Sequence, residues 1–114
     1  MIDNKTRLYT EAVSAARGIL NGQVGVIEGS RNLAALSRKF SADKRERFLL
    51  FIGIDSESDN LAIGPERQYW AEEALVKQDT EIENAEDYYK EDVFNACRAL
   101  ISLLESDLAT LKSL

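Results

Sequence analysis

The chain has 114 residues, of which 45% are apolar and 30% charged, the composition of one compact soluble domain. It contains one cysteine and no histidine. That excludes an internal disulfide, Ser-His-Asp and Cys-His catalysis, and most zinc and haem sites. No apolar run reaches the ~18 residues that span a membrane. Lys5 and Arg7 lead into Tyr9, Thr10 and Glu11, not into the apolar stretch of a secretory signal, so a reducing, cytoplasmic setting is expected.

The net charge of -6 is unevenly spread: residues 1–50 carry +4 and residues 51–114 carry -10. The densest acidic stretch is 72–92, with nine Asp/Glu against Lys77 and Lys90. Such a surface repels nucleic acid and anionic lipid and attracts a basic protein. The plainer expectation is a set of solvated helix faces, partly neutralised by Arg31, Arg38, Arg45 and Arg47 within the fold.

In chain order, Leu8, Ala12, Ala15, Ala16, Ile19 and Leu20 recur at spacings of three and four and predict a helix over about 4–21. Asp3 or Asn4 caps its start, and Gly22 takes a left-handed conformation past its end. A second helix is expected over about 24–39 around Ile27, Leu33, Leu36 and Phe40. Gly29 weakens it, unless a small residue there lets a neighbouring helix come close. Ser30 equally suits the cap of a helix starting late, at Arg31.

Asp43 with Glu46 resembles a capping box, and the apolar run Phe48–Ile52 follows. With no second strand-like run to pair with it, this run is read as a helix over about 43–52. Residues 53–64 form a turn-rich, glycine-bounded loop. Pro65 opens a helix over about 66–78 that buries Trp70 and Ala74. Thr80 with Glu83 forms a capping box and marks a break, because an uninterrupted helix over 66–113 would span roughly 70 Å. The last helix carries Ile82, Ala85, Tyr89, Val93, Ala96, Leu100, Leu104, Leu108 and Leu111, with an interruption conceivable at Ser106 and Asp107. The expectation is a single all-α domain, a compact bundle of about five helices with no internal repeat.

Few residues offer chemistry. From Asp55, the oxygen-bearing positions of an EF-hand loop would fall on Asp55, Glu57, Asp59, Leu61, Ile63 and Glu66. Glu57 is long for its position, Asn60 stands where glycine makes the turn, and Pro65 would start the exit helix inside the loop. Turns tied by Asp55, Ser56, Ser58 and Asp59 are the plainer reading. Di-iron sites need a Glu-x-x-His element, absent here. A carboxylate pair drawn from Glu57, Asp59 and Glu66 for glycosidase-like work would lack room for a substrate cleft. No catalysis and no cofactor are therefore expected. Cys97 is read as a buried thiol, Tyr69 and Trp70 as core and core edge. Of the consecutive Tyr88 and Tyr89, at most one can be buried, leaving an exposed aromatic among carboxylates.

Gly25–Arg31 followed by Leu33 and Leu36, then Ile54–Leu61 with Gly64, Arg67 and Trp70, then Ala96-Cys97 and Leu100-Ile101, together resemble a family of small bacterial all-helical proteins of this length. That family often has a proline near the position of Ala62, where this chain has Pro65 instead. The resemblance brings no catalytic activity with it. It implies proteins often encoded beside toxins, some of them immunity-type. The expectation is thus an immunity-type protein that occludes a basic toxin domain, using Glu72, Glu73, Asp79, Glu83, Glu86 and Asp87 with Tyr88 as anchor. The alternatives are a structural module that forms a homodimer through the Leu104–Leu108–Leu111 stripe, and a degenerate calcium loop.

Overall fold

Asp3 caps the first helix: its Oδ1 accepts from the Thr6 amide at 2.7 Å, and α1 runs Asn4–Leu20. The computed structural model describes residues 3–112. α1 ends at a turn in which Gly22 has φ +81°, the left-handed region that glycine enters without a Cβ penalty. α2 spans Val26–Ser37 and begins after Gly25. A single turn, α3 (Ala42–Arg45), leads through a 3-10 turn (Glu46–Phe48) into α4 (Leu49–Glu57). A second 3-10 segment (Gly64–Tyr69) precedes α5, which runs Glu72–Lys112 as one helix of 41 residues. The described residues contain no strand, so the architecture is an all-α bundle, as the periodicity implies.

Several expected boundaries move. The 43–52 helix is three pieces: α3 starts at Ala42, so Asp43 lies inside it and accepts from Ser41, and the 3-10 turn Glu46–Phe48 separates it from α4. α4 then continues to Glu57, absorbing residues expected in the loop; nothing crowds Gly53, and its missing side chain does not stop the helix. The break falls at Trp70–Ala71 instead of Thr80, since Trp70 is extended with ψ 145°. From Glu72 to Lys112 there is neither glycine nor proline, and the Leu75, Ile82, Ala85, Tyr89 stripe runs straight through Thr80. The length objection fails: the molecule is elongated, measuring 55 × 27 × 25 Å, and α5 runs 41 residues without interruption. Ser106 and Asp107 do not interrupt α5; Asp107 receives Lys44 at 2.5 Å. Residue 113, the expected helix end, lies outside the described residues.

The core forms where α1, α2 and α4 meet the C-terminal half of α5. Tyr9, Phe40, Phe48 and Phe51 pack in sequence, stacked, tilted and edge-to-face in turn, with ring centroids 5.1, 4.8 and 6.4 Å apart. Ile19, Ile27, Leu33, Ile54, Val93, Cys97, Leu100 and Leu104 complete it. Each large apolar side chain removed from water contributes about 1.5–3 kcal/mol. Ser30 and Ser37 are buried without cost because their hydroxyls donate to the Val26 and Ala34 carbonyls.

α1 and α2 approach closely at Gly29. A Cβ there would lie 2.2 Å from Ile19 Cγ1, and Ile19 is fully buried. Gly29→Ala is expected to destabilise by about 1–3 kcal/mol in urea unfolding, overpacking outweighing the ~1 kcal/mol gained in helix propensity. A double-mutant cycle with Ile19→Ala should show costs smaller than additive.

Candidate functional site

The N-terminal half of α5 leaves the core. Among its residues from Glu72 to Asp92, only Ala74, Leu75, Gln78, Ile82, Ala85, Glu86 and Tyr89 are even half-buried. These form the side by which the helix is held. Gln78 accepts from the Ala62 amide at 2.8 Å and donates to the Asn60 carbonyl at 3.2 Å. Arg67 donates to the Ala62 carbonyl at 3.1 Å and pairs with Asp79 at 2.7 Å.

Glu86 makes the decisive contact. Its carboxylate accepts from the amides of Val26 at 2.6 Å and Ile27 at 3.2 Å, the first two of α2. Gly25 has no side-chain oxygen with which to cap that helix, and a Cβ on it would stand 3.0 Å from Glu86 Oε1. A carboxylate on free amides at a helix N-terminus also meets the positive end of the helix dipole.

The expected contact set therefore divides. Glu86 and Asp79 are occupied within the fold. Glu72, Glu73, Glu83 and Asp87 are exposed and form no ion pair among the described residues. Spacings of four, three, four and four put Glu72, Val76, Asp79, Glu83 and Asp87 in one row on the helix. Glu73 points away from that row. Tyr88, 79% exposed, lies on the far flank beside Asn84, Glu91 and Asp92. The front cations do not neutralise the row: Arg17 pairs with Glu105, Lys44 with Asp107, and Arg31 with Asp55 and Glu66.

Sequence reasoning missed the aromatic tip. Tyr69 is 83% and Trp70 41% exposed, contrary to their expected burial, because the chain is extended at Trp70 and turns both rings away from the bundle. Val76, 65% exposed, sits one turn beyond Glu72. Apolar and acidic groups thus share the free end of the molecule.

The 58–66 region is built around a cation. Arg31 donates to the Ser58 carbonyl and, at 3.1 Å, to the Leu61 carbonyl, and contacts Glu66 at 3.4 Å and Asp55 at 4.0 Å. The calcium-loop expectation is corrected accordingly. Asp55 and Glu57 are helical, and Asp55 and Glu66 face Arg31. Glu57 accepts from the Tyr89 hydroxyl, and Asp59 is exposed. No group of three or more acidic or thiol side chains able to hold a metal forms among the described residues.

The remaining reactive groups are quiet. Burial pushes the Cys97 thiol up to about 11, so it carries little thiolate near neutrality. The hydrogen bond to Glu57, aided by burial, raises the Tyr89 phenol from 10.0 to about 12. No helix among the described residues is long and apolar enough to cross a membrane.

No protein-family model matches the chain, and neither the curated proteins nor the solved structures contain a significant match to it.

Glu86→Ala should cost about 1–2 kcal/mol of unfolding free energy by uncapping α2, and amide exchange should rise first at Val26 and Ile27. The Tyr89 phenol is raised in the folded state, so its bond to Glu57 stabilises fully below pH 10 and is lost as pH climbs towards 12. Unfolding midpoints followed across that window should fall more steeply for the parent protein than for Tyr89→Phe.

Proposed function

We propose that this protein is a non-catalytic binding protein of the immunity type, whose free acidic end docks on a basic protein and covers its working surface. The observation that supports this reading is the row Glu72, Glu83 and Asp87. Glu72 and Glu73 at least complement the α5 dipole. Glu83, Asp87 and Glu91 are like charges at successive four-residue spacings, an arrangement that lowers helix stability by a few tenths of a kcal/mol per pair. They form no ion pair among the described residues, which favours a use outside the fold. Long-range attraction would speed encounter with a basic partner, and Tyr69, Trp70 and Val76 would supply the desolvated contacts that slow release.

A homodimer is the second candidate. Its proposed seam is largely spent inside the bundle, since Leu104 is buried and Leu108 packs against the core. Two copies meeting through the acidic half of α5 would repel.

Co-expression with the product of the adjacent gene tests the reading. The expected outcome is a one-to-one complex with a basic protein whose activity is blocked. Glu72→Lys, Glu83→Lys and Asp87→Lys combined should slow association by about tenfold or more at low salt. A complex whose association rate ignores both charge reversal and ionic strength would reject this surface.

A further inference from the structure

A depression of about 540 Å³ lies where the first turns of α1 meet the α2–α3 connection, away from the acidic half of α5. Its floor is apolar: Leu8, Tyr9 and Phe40, with the last two rings stacked. Its rim carries Lys5, Arg7 and Lys39 against the single carboxylate of Glu11. None of the three cations forms an ion pair among the described residues, although Lys5 Nζ stands 5.7 Å above the Tyr9 ring. Tyr9 itself supplies an independent observation. The residue is 5% exposed, yet its hydroxyl has no hydrogen-bond partner among the described residues. No buried side-chain polar atom there lacks a partner, so that hydroxyl retains contact with solvent. Tyr9 thus lines a hollow rimmed with cations and carries a solvent-touching hydroxyl, within electrostatic range of Lys44, whose hydrogen-bonding capacity the described residues do not use.

We propose that this hollow binds a small soluble organic anion, a carboxylate or phosphate joined to a flat apolar group. The apolar part would lie on Leu8 and the outer edges of Tyr9 and Phe40, the anion would reach Lys5, Arg7 and Lys39, and the Tyr9 hydroxyl would donate to it. The site is independent of the acidic surface, so either proposal can fail without the other.

Phenyl phosphate is the probe, titrated into the whole protein and followed by amide NMR, with inorganic phosphate and benzyl alcohol as comparisons. Saturable shifts are expected over residues 4–11 and 39–41, with phenyl phosphate binding about tenfold or more tightly than either comparison. Tyr9→Phe keeps the ring stack and removes a hydroxyl with no hydrogen-bond partner among the described residues, so its unfolding midpoint should hold while binding weakens about threefold to tenfold. Lys5→Glu with Lys39→Glu, both on exposed positions, should weaken it further. The proposal is overturned if no saturable shift occurs there, if benzyl alcohol binds as well, or if the variants bind as the parent does. Displacement of the probe by phosphatidylglycerol vesicles would overturn the assignment to a soluble ligand.

Discussion

The carboxylate of Glu86 on the first amides of α2 governs the rest of the molecule. A helix that starts at Gly25 has no acceptor of its own for those amides, and leaving them unpaired in a half-buried position would cost about 1–3 kcal/mol. The acceptor comes instead from the middle of the longest helix. That one contact fixes where α5 crosses the body formed by α1, α2 and α4. Beyond it towards the C-terminus, Val93, Cys97, Leu100 and Leu104 enter the core. Before it, the helix is covered on one side only.

Other helix ends are closed in the same way, by charged side chains from elsewhere in the chain. Arg45 donates to the Ser37 and Phe40 carbonyls after α2, and Arg31 to the Ser58 and Leu61 carbonyls after α4. These assignments separate charge used for architecture from charge left over. Glu86, Asp79, Asp55, Glu66, Glu105 and Asp107 belong to the first kind. Glu83 and Asp87 belong to the second, on the same helix as the exposed Val76 and Tyr88. That residue of unspent charge is what supports a reading based on binding.

Much of the fold was legible because it depends on local patterns. The apolar spacing from Leu8 to Leu20, the Asp3 cap, the left-handed Gly22 and the close approach at Gly29 all follow from neighbouring residues. What was not legible depends on partners distant in sequence. The Thr80–Glu83 pair has the form of a capping box, but the apolar stripe through Leu75 and Ile82 is anchored by Gln78 and Glu86 to segments 16 to 60 positions away, and the helix continues. Trp70 looked like core because aromatic residues usually are; the extended backbone at that position places it outside. Of the contact set, the exposure of Glu72, Glu73, Glu83, Asp87 and Tyr88 was readable. The internal use of Glu86 was not, although a glycine at the start of α2 signals that a cap must arrive from elsewhere.

If the row on α5 is surplus to folding, removing its charge must leave the fold intact or firmer. The most direct measurement is the urea midpoint of a protein carrying Glu83→Gln, Asp87→Asn and Glu91→Gln together, at low and at high salt. The account predicts a midpoint equal to or above that of the parent, with any gain shrinking as salt screens the repulsion. A clear loss of stability at both salt concentrations would show that these carboxylates hold the molecule together, and would contradict it.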